Sequence, residues 1–316
     1  MKSASRLSEV DHDRNSVVTV GSFDGMHLAH LEIVREVVRR ARRRNGRSVL
    51  VTFEPHPREV VGNHKGVPIL TTLEEKQEVA ASLGVDLFFT ITFDYDFSRL
   101  TAREFYLKYL VTGIGVSEII EGYDHHFGRD REGSIQEMRS LGKEFGYSSV
   151  AIQQFLINGR LVNSTSIRDS LANGEVESAQ ELLGRPYTLD GIVVNGDKRG
   201  RTLGFPTANI RPLSEKKLVP KNGIYFVGVR LDGKWFSGIA SIGVRPTFGT
   251  DGERVFEVYI LDFNDDIYGA KIRIAHHKRM RDEMKFESAD QLVQQMNLDK
   301  EEAIRLRQQY EYLDTN

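Results

Sequence analysis

Two histidines three residues apart, His27 and His30, follow a short segment carrying Gly21 and Gly25. Positions three apart share one face of a helix's opening turn, so both imidazoles can donate hydrogen bonds to charge developing on a phosphoryl oxygen. The glycines permit a tight strand-to-helix turn. The helix start beyond them offers backbone N–H groups and a positive dipole end to an anion. A second group is Ser164-Thr165-Ser166-Ile167-Arg168. Hydroxyls at a helix start with an arginine one turn in suit a phosphate clamp, although helix capping alone also accounts for them. A third runs from Gly196 through Lys198, Arg199, Gly200, Arg201 and Gly204 to Pro206-Thr207-Ala208-Asn209. Such a loop brings amides and cations to phosphates, and it lacks the Gly-Lys-Ser/Thr ending of a Walker loop. A plain turn explains its glycines but not the Pro-Thr-Ala-Asn that follows.

Other candidates read as structure. In Thr52-Phe53-Glu54-Pro55-His56-Pro57, two prolines fix the backbone around His56, which either touches ligand or only shapes the turn. Arg39, Arg40, Arg42, Arg43 and Arg44 crowd the C-terminal end of a helix, where cations suit the dipole; an RNA-binding role there predicts salt-sensitive retention. His276 and His277 are adjacent on a strand and so face opposite ways, which argues against a shared ion.

The elements that must position these groups follow two rhythms. From Val17 to Gln153, strand-like runs (Val17–Ser22, Ser48–Phe53, Val85–Phe93, Ser117–Gly122, Ser149–Gln153) alternate with helical patterns (His27–Asn45, Leu73–Leu83, Ala102–Val111, Ile135–Phe145). This alternation predicts a parallel sheet covered by helices on both faces, with ligands beyond the carboxyl ends of its strands. Short helices at Ser166–Ala172 and Glu175–Leu183 come next. Strands then alternate with glycine-rich turns at Gly191–Val194, Ile224–Arg230, Trp235–Ile242, Arg254–Leu261 and Lys271–Ala275, predicting an antiparallel barrel or sandwich. Ser288 and Gln291 match a capping box opening a last helix toward Leu313. The fold class expected is α/β followed by β, with domains at 1–184 and 185–316.

At 316 residues and 40% hydrophobic, the chain fits two domains better than one. Its net charge of −2 gives no global argument for nucleic acid or membrane. With no cysteine, disulfides, thiolate metal sites and thiol nucleophiles are excluded. No apolar run is long enough to span a bilayer and the first fifteen residues lack an apolar centre, so a soluble cytoplasmic protein is expected.

Gly21-Ser22-Phe23-Asp24-Gly25-Met26-His27-Leu28-Ala29-His30 resembles the signature of HxGH nucleotidylyltransferases in its bacterial FAD synthetase form, with Ala29 in place of the glycine between the histidines. Gly122-Tyr123-Asp124-His125-His126-Phe127-Gly128 resembles that family's flavin loop, with His125 in place of an aromatic; Ser164–Arg168 resembles its motif over the ATP phosphates. The stretch Gly191–Asn209 closely resembles the riboflavin kinase signature. Val255–Phe263 resembles the strand that bears its catalytic glutamate, and Arg281–Phe286 the flap over the flavin. The chain is thus identified as a member of the bifunctional riboflavin kinase/FAD synthetase family, with a Rossmann-like nucleotidylyltransferase domain before a β-barrel and C-terminal helix.

The resemblance implies that riboflavin is phosphorylated to FMN with ATP, and FMN adenylylated to FAD with release of pyrophosphate. It gives Glu257, His27, His30 and Arg168 catalytic roles. Gly21, Phe23, Asp24, Gly25, Ser164, Thr165, Ser166, Gly196, Lys198, Gly200, Arg201, Gly204 and Pro206 would bind ATP or its phosphates. Asp124, Phe127 and Arg281 would contact flavin, although a carboxylate at Asp124 equally suits fixing its loop, and Thr207 and Asn209 would hold Mg2+. Partners are small molecules, with no nucleic acid, membrane or obligate protein. A riboflavin kinase with an inactive first half, favoured by Ala29, and a non-catalytic flavin or nucleotide binder are the competing readings.

Overall fold

The computed structural model describes residues 1–61, 66–122, 135–196, 204–244 and 254–310. The chain forms two compact units, Met1–Ser164 and Thr165–Asn316.

In the first unit, β1 (Lys2–Ala4), β2 (Ser16–Val20), β3 (Arg47–Glu54), β4 (Leu87–Thr92), β5 (Val116–Gly122) and β6 (Ser148–Ile152) make a parallel sheet ordered β1-β4-β3-β2-β5-β6. The chain runs from β2 outward through β3 and β4, then returns to β5 on the other side of β2. The crevice beyond the carboxyl ends of β2 and β5 is therefore a topological switch point, where open α/β sheets bind ligands. Helices α1 (Leu28–Arg43), α2 (Pro57–Val60), α3 (Leu73–Ser82), α4 (Tyr95–Ser98), α5 (Ala102–Phe105) and α6 (Ile135–Phe145) connect the strands, with a π-helical stretch Tyr106–Ile114 continuing α5.

Strand alternation sorts the core onto two faces. Val18, Val20, Val49, Val51 and Phe53 pack with Phe105, Leu110 and Ile114; on the opposite face Leu50 and Phe88 pack with Leu31 and Val34 of α1. Helices cover both faces, as the sequence rhythm requires. The first strand, β1, is a short polar edge that carries no such signal. A small hairpin, β7 (Leu156–Ile157) with β8 (Arg160–Leu161), follows β6.

The second unit is a closed antiparallel barrel of β9 (Tyr187–Val194), β10 (Thr207–Pro212), β11 (Gly223–Leu231), β12 (Lys234–Val244), β13 (Arg254–Ile260) and β14 (Lys271–Arg281), ordered β10-β13-β12-β11-β14-β9 and shut by the β9–β10 pairing. Two strands outrun the sequence pattern, β9 starting at Tyr187 and β14 reaching Arg281. The pattern omits β10, because Thr207–Pro212 lacks β-branched alternation; its ladders to β9 and β13 impose the strand.

Helix α7 (Ser164–Asn173) leads into this unit, and α8 (Val176–Leu183) packs on β9 and β14. The last helix, α9 (Ala289–Arg307), packs on β12 and buries Ala303 and Leu306 with Phe226 and Leu261. Ser288 caps it by accepting from the Gln291 amide at 3.2 Å, while the Gln291 side chain accepts from Glu287 N–H. The helix ends at Arg307, short of the expected Leu313.

Candidate active sites

The first site grows from the end of β2. Between Val20 and α1 the backbone takes the left-handed region at Phe23 (φ 47°), Gly25 (φ 93°) and Met26 (φ 40°). Glycine adopts that region freely, whereas each other residue type there costs on the order of 1–2 kcal/mol. Phe23 and Met26 offset this by burying their side chains against Leu31, Leu50 and Phe88.

His27 is the N-cap of α1 and is itself nearly buried. Its Nδ1 accepts from the His30 amide at 3.4 Å, so in the neutral ring Nε2 carries the proton. The two imidazoles stack with centroids 3.6 Å apart and planes at 15°, and the Phe23 ring meets His30 edge-on at 5.1 Å. The sequence places both histidines on one helical face; the structure brings them together through a cap instead. At the same turn, the amides of Leu28 and Ala29 have no partner among the described residues. Ala29 has ordinary helical backbone, so the departure from glycine imposes no strain.

Asp24 sits at this turn but points its carboxylate into the protein. Its Oδ1 accepts from Leu70 N–H at 2.8 Å and Thr71 N–H at 3.0 Å. A carboxylate facing phosphate oxygens would repel them, and here it faces amides. The Ser164 hydroxyl donates to the Asp24 carbonyl at 2.8 Å, tying the start of α7 to the turn. Thr165, Ser166 and Arg168 follow in the opening turns of α7, Thr165 exposed and the other two half-buried. His56 caps α2, its Nδ1 accepting from Arg58 N–H at 3.2 Å after the cis Glu54–Pro55 bond. The arginines of α1 are largely committed: Arg40 and Arg44 bind buried Glu118 at 2.6 and 2.8 Å, and Arg42 binds Asp86. Asp124 and Phe127 lie outside the described residues.

The second site lies on paired strands of the barrel. In the β10–β13 ladder Asn209 is the direct partner of Glu257 and Thr207 of Tyr259. Alternation puts Thr207 and Asn209 on one face, and the Thr207 hydroxyl donates to Glu257 Oε2 at 3.1 Å. Three side-chain oxygens, from a hydroxyl, an amide and a carboxylate, thereby converge. Gly196 lies against them, and a Cβ there would displace the Asn209 side-chain amide. A shallow, solvent-open cleft starts at Thr207 and is lined by Pro206, Val258, Ile260, Phe263 and Tyr268. Gly204 and Pro206 are exposed at its approach, and Lys198, Gly200 and Arg201 lie outside the described residues. Phe263 and Val258 belong to a stretch singled out in the sequence for Glu257 alone; their place in the cleft comes from the barrel's closure.

Arg281 is engaged. Its guanidinium makes a two-pronged pair with Asp299 of α9, at 2.8 and 2.6 Å, and Asp299 also accepts from Gln295 at 3.0 Å. That arrangement fixes the end of β14 to α9. His276 and His277 face opposite ways as alternation predicts. His276 packs among Tyr187, Tyr225 and Phe256, and His277 against Phe226 and Tyr310. Burial holds both imidazoles down to about 4.

Comparison with known proteins covers both units. A family model for FAD synthetase matches residues 9–166 and one for riboflavin kinase residues 183–307. The bifunctional riboflavin kinase/FMN adenylyltransferase of Listeria monocytogenes is 38% identical over 92% of each chain, and that of Escherichia coli 37% identical over 90% of each. A crystal structure from Streptococcus pneumoniae, described as a macrolide-efflux protein, superposes with a TM-score of 0.87 at 31% identity, over 95% of this chain and 97% of its own. No helix among the described residues is long and apolar enough to cross a membrane. Two family matches that divide the chain as its two sites do, and relatives similar along nearly its whole length, place it in the family of bifunctional riboflavin kinase/FMN adenylyltransferases.

Proposed function

We propose that the second half of the chain transfers the γ-phosphoryl group of ATP to the 5′-hydroxyl of riboflavin, and that the first half joins the adenylyl group of a second ATP to the resulting FMN. The products are FAD, ADP and pyrophosphate. The observation that carries this reading is the placement of Thr207, Asn209 and Glu257 on one face of the paired strands β10 and β13, with the Thr207 hydroxyl on the Glu257 carboxylate. We set the functional division at 184/185, since the riboflavin kinase match begins at 183 and the FAD synthetase match ends at 166.

In the kinase half, Glu257 takes the proton from the riboflavin hydroxyl as its oxygen attacks the γ-phosphorus and the bond to the β-phosphate oxygen breaks. The hydrogen bond from Thr207 orients that carboxylate. Hard oxygen donors on Thr207 and Asn209 fit Mg2+. Magnesium takes few protein ligands and completes its shell with substrate phosphate oxygens and water. Bound there, Mg2+ neutralises charge on the phosphates. Lys198, Gly200 and Arg201, which lie outside the described residues, are assigned with Gly196 and Gly204 to the phosphates. The apolar wall of Pro206, Val258, Ile260 and Phe263 suits a base.

In the adenylyltransferase half, an FMN phosphate oxygen attacks the α-phosphorus of ATP and pyrophosphate leaves. The Nε2–H of His27, the His30 ring and the Leu28 and Ala29 amides are assigned to the added charge. Arg168, with Thr165 and Ser166, is assigned to the leaving phosphates, and Asp124 and Phe127 to the flavin side. Direct transfer needs no covalent enzyme intermediate. Because both halves consume ATP, we assign the enzyme to the cytoplasm, acting on small molecules; the committed arginines of α1 argue against a nucleic-acid role.

The test is a time course with riboflavin, excess ATP and Mg2+, separating the flavins by chromatography. FMN appearing first with FAD following is the expected result. FMN that never advances to FAD, even when supplied directly, contradicts the adenylyltransferase half.

A further inference from the structure

The turn that carries His27 is held from a loop 46 residues away in sequence. The buried Thr71 hydroxyl accepts from Gly25 N–H at 2.8 Å and lies 3.4 Å from Asp24 Oδ1 and 3.5 Å from the Phe23 carbonyl. Asp24 Oδ1 in turn accepts from the Leu70 and Thr71 amides, and both Asp24 and Thr71 are almost completely buried. These bonds fall within the four residues where Phe23, Gly25 and Met26 occupy the left-handed region. Backbone held in that region persists only when its surroundings over-determine it. Burial of Phe23 and Met26 fixes the two ends of the turn, and the middle is fixed by Thr71 and Asp24. The next residue after Met26 is His27, whose ring stacks on His30. Lys76, one turn into α3 and likewise buried, adds a cation on the same side: burial pushes its amine down, opposed first by the charge of Asp24.

We propose that Thr71 is a positioning residue for adenylyl transfer, its hydroxyl clasping Gly25 and Asp24 so that His27 is presented to the reacting phosphates. Asp24 belongs to the same clasp and acts from within the protein. This rests on the reading that FMN is adenylylated at the His27 turn. The clasp touches neither substrate, so its loss displaces the histidine pair and lowers turnover more than substrate affinity.

Steady-state FAD formation from FMN and ATP tests this in Thr71→Val, Thr71→Ala and Thr71→Ser, with His27→Ala alongside and FMN formation as the control reaction in the same molecules. Expected are a fall in kcat of roughly 10- to 100-fold for Val and Ala, with KM for FMN within about threefold of wild type, and recovery to within about threefold for Ser. Thermal unfolding and active-site titration of each variant report a folded first unit, so that kcat is per active molecule, and Thr71→Ala serves if Thr71→Val does not fold. If Val and Ala keep wild-type kcat while His27→Ala loses it, the clasp is wrong and the site reading stands. If Ser loses as much as Val, the hydroxyl is not the element that matters and the proposal is overturned. If His27→Ala itself retains full FAD formation, the site reading falls and the proposal with it.

Discussion

The Thr207 hydroxyl reaches Glu257 at 3.1 Å across the β10–β13 ladder, while Asn209, two residues along, stands directly opposite the same glutamate. Strand register therefore fixes the distance between the proposed base and the proposed magnesium ligands, independently of any loop. Glu257→Gln keeps the size and the hydrogen bond but removes the proton acceptor. FMN formation from riboflavin should fall by about 100- to 10,000-fold, with FAD formation from supplied FMN within twofold of wild type, as read from the two half-reactions assayed separately.

Gly196 makes a second test of geometry, because its Cα lies against the Asn209 side chain. A methyl group there collides with the Asn209 amide. Gly196→Ala should cost about 100-fold in FMN formation by moving Asn209, and should raise the Mg2+ concentration needed for half-maximal rate. A normal magnesium dependence would argue that Asn209 does not hold the ion.

Ala29→Gly restores the residue that the nucleotidylyltransferase signature carries. Since Ala29 is already helical, the change relieves no strain and lowers helix stability by about 0.5–1 kcal/mol at most. FAD formation should stay within about threefold of wild type. A rise of tenfold or more would mean that the alanine methyl obstructs the nucleotide.

Acid and alkali should weaken different units. His276 is held at about 4 by burial, below its unfolded value of 6.5, so between those two values the unfolded chain takes up a proton that the barrel refuses. Barrel stability from this residue is complete above pH 6.5 and declines as pH falls toward 4, by up to about 1.4 kcal/mol per unit. Glu121 is the opposite case. Burial pushes it up to about 8, against the hydrogen bond from Tyr106 at 2.8 Å, so the first unit loses stability as pH rises from 4.5 toward 8. Thermal unfolding across pH should show His276→Leu flattening the acid limb and Glu121→Val the alkaline one.

The sheet, the barrel and the two stretches proposed to bind phosphate could be read in the sequence because each depends on local pattern. Val17–Ser22 opens as a run of β-formers, Gly21 and Gly25 mark a turn, and Ser288 with Gln291 marks a helix start. What escaped the sequence depends on pairing between distant segments. Nothing local in Thr207–Pro212 announces a strand; it becomes one by lying between β9 and β13. Thr71 precedes the cap of α3 and reads as part of a helix start, yet its hydroxyl serves Gly25. Arg281 has its place in a flavin flap by resemblance, and the carboxylate that engages it, Asp299, sits on α9 with no pattern linking the two. Asp24 stands within a motif read for phosphate, and no local pattern announces that its Oδ1 accepts from the Leu70 and Thr71 amides.

Two sites running two chemistries in sequence is the central claim, and complementation tests it most directly. His27→Ala and Glu257→Gln are each given riboflavin, ATP and Mg2+ alone, then mixed in equal amounts, and FAD is followed by chromatography. The account predicts FMN without FAD from the first, neither product from the second, and FAD from the mixture as free FMN passes between molecules. A mixture that makes FMN but no FAD, or a Glu257→Gln enzyme that still converts riboflavin, would contradict it.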